Sequence, residues 1–282
     1  MTNYVFIQTS GSQYQIDKEY EAFSKVTGIV LVPYGVIPFT NPRVLTGLSD
    51  FTIQDTDKVF IRGSVLLTQK DFIIPDNSYL TKRLQDSVYH DQESFNMPFL
   101  LNSRWLPWDI ALNIDFTVES CSKIKDRKFN KNVFIKPVDD CKQFPGTFLP
   151  AGKSLSEILS TSAILSDDWY NCDVIVNHTV YEIQNEYRVF VVNGNIVAGS
   201  RYFTNGVLDI EQLDLSPDNF YTYLLTTFIP WRQSRFNTYV VDLAYIKGVG
   251  VKVIEYNCIN CSGTYAADTQ AIVDAIFQNN ET

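Results

Sequence analysis

Three oxygen-bearing side chains near the carboxyl end of the chain could together bind a divalent metal ion. Asp242, Glu255 and Asn257 are separated by 13 and 2 residues and lie in two apolar, β-prone runs. A turn of two or four residues centred on positions 247–250 places Asp242 directly opposite Glu255, and Asn257 shares the face of Glu255 because strand side chains alternate. Oxygen ligands of this kind suit Mg²⁺ or Mn²⁺, which can share its coordination sphere with the phosphates of a nucleotide.

The same carboxylates have a second interpretation. The strands that carry them are apolar on both faces, which predicts central, covered strands. Burying two carboxylates there costs several kcal/mol unless a positive group neutralises them. A metal ion would do so, but so would ion pairs with Lys or Arg, and both alternatives stay open at this point.

Two lysines upstream suit phosphate binding. Lys136 follows the apolar residues 133–135, and Lys142 lies in the loop that runs on to Pro145-Gly146. A lysine there can contact a phosphate as a point charge while the loop closes over it. The alternative is a surface lysine whose aliphatic stem packs on apolar neighbours.

A β-hairpin is expected to bring an acid and an arginine onto one strand face. Asn193-Gly194 is a strong turn signal because both residues tolerate the positive φ angles of a type I′ turn. Glu186 and Arg188 lie two residues apart on the first strand and therefore share a face. They could hold a ribose diol and an anionic phosphate respectively.

The register of this hairpin also allows a purely structural interpretation. A two-residue turn places Glu186 opposite Arg201, where they would form a cross-strand ion pair. The same register places Arg188 opposite Gly199 and predicts open space above the sheet.

Composition and charge exclude several classes of protein. With 45% hydrophobic and 20% charged residues, the 282-residue chain is neither disordered nor collagen-like. The 23 Lys and Arg against 32 Asp and Glu give a net charge of −9, so we expect no broad nucleic-acid binding. Without a signal peptide, a long apolar run or a disulfide framework among its five cysteines, we expect a soluble cytoplasmic protein that does not bind membranes.

The order of segments predicts two units. Strand-like and helix-like segments alternate over residues 1–95, which favours a small α/β unit; they are 4–9, 17–26 (helix), 28–39, 58–67 and 72–74. A second unit follows from residue 132, with strands, two hairpins and helices; the segments besides the hairpins are 132–136, 154–162 (helix), 173–176 and 218–228 (helix). The single C-x-x-C of Cys258 and Cys261 lacks partners for a zinc site, so we expect small residues lining a site.

This order of motifs resembles that of ATP-grasp enzymes. The resemblance is carried by residues 134–137, by 185–194, and by Val241-Asp242-Leu243 with Ile254-Glu255-Tyr256-Asn257; it is supported by residues 142–146, 200–202 and 262–268. The chain is most similar to a clade of compact ATP-grasp proteins, many of them phage-encoded, which would make the cytoplasm that of a host cell. The resemblance covers residues 130–282 well and residues 1–95 only in outline.

The resemblance implies a fold class and a domain division. We expect an α+β and α/β protein with an ATP-grasp fold, in which two lobes clasp a nucleotide. A small α/β domain at 1–97 would precede an ATP-grasp domain at 98–282, whose small lobe spans about 130–178 and large lobe about 179–282.

The activity implied is that of an ATP- and Mg²⁺-dependent ligase. ATP would activate a carboxylate as an acyl phosphate, which an amine or a thiol then attacks; the carboxylate and amine substrates are small molecules or peptides. Two alternatives are a nucleotide-binding regulator or adaptor without ligase activity, and an α/β interaction protein that binds no nucleotide. The sequence does not specify the oligomeric state.

The resemblance also implies residue roles. Lys136 and Lys142 would bind phosphates, Glu186 the ribose, and backbone groups of Thr179, Val180 and Tyr181 the adenine. Asp242, Glu255 and Asn257 would hold Mg²⁺ or Mn²⁺. Arg188, assisted by Lys142 and Arg201, would stabilise the transferred phosphoryl group.

Two features depart from the family pattern. The phosphate loop at 138–146 has a single glycine, and Lys142 would substitute there as a charged donor. Val240 stands two residues before Asp242, where some relatives have a phosphate-binding arginine, which transfers that role to Arg188 or Arg201.

Overall fold

The computed structural model describes residues 1–9, 13–37, 40–63, 67, 70–90, 98, 111–112, 114–138, 144–160, 169–216 and 237–278. These residues form three β-sheets and five helices, numbered here over the described part of the chain. The helices are α1 (Gln13–Ser24), α2 (Ser78–Asp86), α3 (Cys121–Ile124), α4 (Leu155–Leu159) and α5 (Thr269–Gln278). None of them is both long enough and apolar enough to cross a membrane.

The amino-terminal sheet is a mixed sheet built around a buried first strand. Its strands are β1 (Asn3–Gln8), β2 (Val30–Ile37), β3 (Arg43–Thr46), β4 (Lys58–Arg62) and β5 (Phe72–Ile73), in the order β4-β1-β2-β3-β5. β1 is parallel to both β2 and β4, and its apolar residues 5–7 are buried. The predicted segments of this unit are all present as β1, α1, β2, β4 and β5, whereas β3 and α2 were not predicted.

The second sheet is small and antiparallel. Its strands are β6 (Phe116–Ser120), β7 (Val133–Pro137), β8 (Thr147–Leu149) and β9 (Asp173–Asn177), in the order β6-β9-β7-β8. α4 packs beside it and begins at a capping box, in which the Ser154 hydroxyl accepts from the Glu157 amide and the Glu157 carboxylate accepts from the Ser154 amide. Because β6 pairs with β9, this sheet begins earlier than the predicted bound near residue 130.

The third sheet is antiparallel throughout and carries most of the candidate residues. Its strands are β10 (Ile183–Val192), β11 (Asn195–Thr204), β12 (Val207–Gln212), β13 (Tyr239–Ile246) and β14 (Gly250–Asn257), in the order β12-β11-β10-β13-β14. One face packs in a core with Val189 and Val241, and the other packs through Phe190 and Val240 against α5 and the amino-terminal sheet. The central strands are therefore covered on both faces, as the sequence predicts.

The predicted register of the first hairpin is wrong beyond its turn. Val192 does face Asn195, but two β-bulges each add one residue to β11. Arg188 consequently pairs with Ser200, and Glu186 pairs with Phe203. Arg188 does not face Gly199, and Glu186 does not face Arg201.

The expected open space above Gly199 is also filled. Gly199 pairs with Val189, and a Cβ added at Gly199 would meet Leu213 Cδ1 at 2.8 Å. The missing side chain therefore admits the segment that follows β12.

The second hairpin has the predicted key pair but a different turn. Asp242 lies directly opposite Glu255, as expected. The loop has three residues, since Ile246 pairs with Gly250, and a bulge between Asp242 and Leu243 restores the expected pairing.

Some predictions lie outside the described residues. These are the helix at 218–228, Lys142 and part of the phosphate loop at 139–143, and the part of the predicted helix 154–162 beyond residue 160. The boundary between 97 and 98 borders such residues and stays a prediction.

Candidate functional site

The candidate site is built on a row of side chains that crosses the third sheet. Arg188 on β10, Asp242 on β13 and Glu255 on β14 are consecutive cross-strand neighbours. Arg188 Nε donates to Asp242 Oδ1 at 2.8 Å and Arg188 Nη2 donates to Asp242 Oδ2 at 2.7 Å. The pair is deeply buried, with 13% of the Arg188 side chain and 4% of the Asp242 side chain exposed. This bidentate geometry gives Arg188 a fixed direction.

Lys136 reaches the same row from the second sheet. It lies on β7 opposite Ile175 of β9, and its Nζ donates to Glu255 Oε2. The Lys136 side chain is 16% exposed and that of Glu255 is 31% exposed, so solvent reaches this end of the row. The contact joins the two sheets across the space between them.

Asn257 completes the cluster expected from the sequence. Its Nδ2 donates to Asp242 Oδ2 at 3.0 Å and to Glu255 Oε1 at 3.2 Å. Two carboxylates therefore meet around one carboxamide, whose other arm is an oxygen. This donor set fits a hard divalent cation such as Mg²⁺ or Mn²⁺.

In the protein alone, two side-chain cations neutralise the two carboxylates. Arg188 pairs with Asp242 and Lys136 pairs with Glu255, so the ion-pair alternative is present in the structure. Within the described residues, no group of three or more His, Cys, Asp or Glu side chains surrounds a common metal position. A bound metal would therefore depend on Asn257 and on oxygen atoms from other molecules.

The surroundings shift the acidity of these groups. Burial by itself raises the pKa of Glu255, but the charge and hydrogen bond of Lys136 more than offset this and leave it at about 2. Burial raises the pKa of Asp242, and contact with Arg188 opposes that rise. Burial would lower the pKa of Arg188, but Asp242 raises it overall, so Arg188 stays charged.

Glu186 lies beside the row and has a partner that the sequence analysis missed. Its Oε2 accepts from the Tyr202 hydroxyl at 2.7 Å. Burial raises the pKa of Glu186, and the nearby charges of Asp242 and Glu255 add to the rise. Tyr202 was not identified because the bulge that turns it toward Glu186 leaves no local sequence signal.

Two tyrosines enclose Arg188. The rings of Tyr202 and Tyr265 are stacked, with centroids 5.0 Å apart and an interplanar angle of 6°. The Arg188 guanidinium carbon lies 5.8 Å from the Tyr202 centroid and 5.2 Å from that of Tyr265.

The segment after β14 is anchored on the amino-terminal sheet by a fully buried asparagine. Asn260 Nδ2 donates to Ile61 O at 2.7 Å and to Ser87 O at 3.0 Å, while Asn260 Oδ1 accepts from the Tyr89 amide at 2.7 Å. This segment contains the C-x-x-C, whose Cys258 Sγ donates to Asn260 Oδ1 at 3.4 Å. Both cysteines are free thiols.

A buried ion pair adds a second anchor. Arg62 Nη2 donates to Glu19 Oε2 at 2.6 Å and to Ser262 O at 2.7 Å. Glu19 Oε1 in turn accepts from the Thr264 amide at 2.6 Å. Gly263, between them, offers its carbonyl oxygen to Arg188 Nη1 at 3.3 Å. The amino-terminal unit thus contacts the site through this segment, which local sequence patterns do not reveal.

The remaining predicted residues fall in different places. Thr179, Val180 and Tyr181 lie in the connection between β9 and β10, where the second sheet joins the third. The Thr179 carbonyl oxygen accepts from Asn177 Nδ2 at 2.8 Å. Arg201 is not brought to the row: its Nη2 lies 2.9 Å from Asp209 Oδ2 and 2.6 Å from Glu211 Oε2 on β12, which favours Arg188 for the predicted role.

The two sheets that meet at Lys136 and Glu255 have the arrangement of an ATP-grasp fold. Residues 114–275, more than half of the chain, match a family of ATP-grasp domains, the second family of its clade. The chain therefore belongs to this ATP-grasp family, which confirms the resemblance and the fold class expected from the sequence and supports the expected enzyme class, an ATP-dependent ligase. A comparison with the curated proteins found no significant match.

Solved structures of similar fold include three ligases or synthetases. The D-alanine–D-alanine ligase from Bacillus anthracis complexed with ATP has a TM-score of 0.56 at 12% identity, over 99% of this chain and 96% of that chain. The VanG D-Ala:D-Ser ligase from Enterococcus faecalis has a TM-score of 0.53 at 11% identity, over 98% of each chain. The D-cycloserine synthetase DcsG has a TM-score of 0.51 at 14% identity, over 99% of each chain. At these identities the similarity is one of fold.

Proposed function

We propose that the chain is an ATP- and Mg²⁺-dependent ligase that joins a carboxylate to an amine, or to a thiol, through an acyl phosphate. The observation that carries the proposal is the convergence of Lys136 with the row Arg188, Asp242 and Glu255. One sheet supplies a cation and the other supplies two carboxylates and an arginine, which is the set of charges that phosphoryl transfer from ATP requires. Family membership supports the same reaction class.

The residues would share the work as follows. Lys136 would leave Glu255 and contact the phosphates of ATP, and Glu186 would accept from the ribose. Backbone groups of Thr179, Val180 and Tyr181 would border the adenine, because they connect the two sheets. Lys142 is proposed for the phosphate loop.

Asp242, Glu255 and Asn257 would hold the metal ion. Mg²⁺ supplies positive charge to the phosphate oxygens during transfer and fits these hard oxygen ligands. Glu255 becomes available for it when Lys136 turns to the phosphates, so the exchange of partners conserves the neutralisation of that carboxylate.

Arg188 is the cation best placed near the reacting groups. Position 240, two residues before Asp242, holds a fully buried valine in the apolar core, so it contributes no charge there. Arg188 uses one hydrogen on Nε, one on Nη2 and one on Nη1 in its described contacts. Of its five N–H hydrogens, two have no partner among the described residues and would be free to donate to a transferring phosphoryl group.

The substrates proposed are small molecules or peptides that carry a carboxylate and an amine. The fold neighbours with D-alanine–D-alanine ligase and D-cycloserine synthetase activity support small substrates of this kind. The free thiols and the need for ATP support a cytoplasmic location.

The alternative, a nucleotide-binding regulator or adaptor, is favoured by one observation. Arg188 is already engaged by Asp242, Gly263 and two tyrosine rings, which suits a fixed structural role as well as a catalytic one. Such a protein would bind Mg²⁺ and ATP without consuming ATP.

The test is ADP release with ATP, Mg²⁺ and a panel of amino acids and short peptides, with hydroxylamine as a trapping nucleophile. A ligase releases ADP only when a suitable acid is present and yields the corresponding hydroxamate. ATP binding by calorimetry without ADP release over the panel would favour the regulator. No ATP binding would refute both.

A further inference from the structure

Tyr202 is held in one orientation by contacts on three sides. It is buried, its ring is stacked on Tyr265, and the guanidinium of Arg188 lies against the ring. Burial, together with the charges of Asp242 and Glu186, keeps the pKa of Tyr202 well above its ordinary value, so the hydroxyl retains its proton and donates it. The hydroxyl therefore points at Glu186 in a fixed direction.

Glu186 depends on this hydroxyl for its orientation. The nearby cation, Arg188, directs its fork to Asp242, and Lys136 contacts Glu255. Among the described residues, Tyr202 is the one side chain that hydrogen-bonds the Glu186 carboxylate. Without it, Glu186 would face two other carboxylates with no donor to fix its rotamer.

We propose that Tyr202 is a positioning residue that gives the site its preference for ribonucleotides. By holding Oε2 of Glu186, it leaves Oε1 to accept from one ribose hydroxyl. The inference rests on the proposed function only in placing ATP beside Glu186. It predicts strong dependence on one of the two hydroxyls, because a carboxylate with one oxygen occupied cannot hold a diol symmetrically.

The experiment measures the dissociation constants of ATP, 2′-deoxyATP and 3′-deoxyATP by calorimetry in the presence of Mg²⁺. The wild-type chain is expected to bind ATP roughly ten- to hundredfold more tightly than one of the two deoxy analogues, as for the loss of a charge-assisted hydrogen bond. Tyr202→Phe keeps the ring and its stacking but removes the hydroxyl. Its preference is expected to fall below about threefold, chiefly through weaker ATP binding.

The matched control is Tyr79→Phe. Tyr79 also donates its hydroxyl to a carboxylate, Asp55 Oδ1 at 2.6 Å, but on the exposed surface of α2. This variant is expected to keep the wild-type preference. Glu186→Asp, whose shorter side chain withdraws from the Tyr202 hydroxyl, is a second variant expected to lose it.

The outcomes separate this inference from the proposed function. ATP binding without any preference in the wild-type chain, or an undiminished preference in Tyr202→Phe or Glu186→Asp, overturns the role of Tyr202 but leaves ATP binding intact. Absence of ATP binding in the wild-type chain overturns the proposed function as well. Loss of preference in both site variants and not in Tyr79→Phe supports the inference.

Discussion

Replacing Lys136 by methionine should change metal binding and nucleotide binding in opposite directions. The substitution keeps the aliphatic stem and removes the ammonium that lies between Glu255 and the proposed phosphate position. ATP loses a charge-assisted contact worth ~1.5–3 kcal/mol. Its dissociation constant should therefore rise roughly ten- to hundredfold.

The same change frees Glu255. In the wild-type chain both carboxylates of the metal cluster already hold cations, so Mn²⁺ added alone must compete with Lys136. In Lys136→Met this competitor is gone, and Asp242, Glu255 and Asn257 carry one more uncompensated negative charge. Mn²⁺ alone should consequently bind more tightly to the variant than to the wild-type chain.

The assay is Mn²⁺ binding followed by electron paramagnetic resonance without nucleotide, beside calorimetry with ATP and Mg²⁺. Lys128→Met is a matched control, because Lys128 also pairs with a glutamate, Glu157 at 3.2 Å, but on the exposed surface of the second sheet. It should change neither quantity. Unchanged ATP affinity in Lys136→Met would make Lys136 a structural lysine, and weaker Mn²⁺ binding would refute the competition.

Three further predictions concern the buried ion pairs. Asp242→Asn should abolish Mg²⁺-dependent ADP release and destabilise the fold by ~3–5 kcal/mol, since it leaves Arg188 buried and unpaired; activity and urea unfolding check it. Arg188→Lys cannot reproduce the fork, so turnover should fall far more than ATP affinity, and equal losses in kcat and ATP binding would count against a transition-state role. Glu19 has a lowered pKa because Arg62 and Thr264 outweigh the effect of burial, so it contributes stability above its ordinary pKa of 4.5 that is lost as pH falls through the lowered value. In Glu19→Gln the melting temperature should be lower at pH 7 and fall less steeply below pH 4.5; the exposed Glu21→Gln should follow the wild-type curve.

The core of the candidate site was predictable because it depends on local pattern. The alternation of apolar residues around Asp242 and Glu255 predicts two covered strands, and the glycines of the intervening turn predict a hairpin that pairs the two acids. Side-chain period then places Asn257 beside Glu255. These inferences needed no long-range information, and all three residues do converge.

Register beyond a bulge could not be predicted in the same way. A bulge shifts every later pair by one residue, and its position depends on packing above and below the strand. The space above Gly199, for example, is taken by Leu213 from a segment 14 residues further along. This is why Arg188 faces Ser200, and why Tyr202 rather than Arg201 contacts Glu186.

Local sequence is enough to specify the types of residue available, their spacing along each strand and the family to which they belong. Which charges meet depends instead on the folded chain: Lys136 meets Glu255 across two sheets, 119 residues apart in sequence, and Glu19 meets Arg62 and Thr264 across the amino-terminal unit. Such pairs are set by how sheets pack, because the free energy of a buried ion pair depends on the geometry of both partners and leaves no periodic signal in either strand.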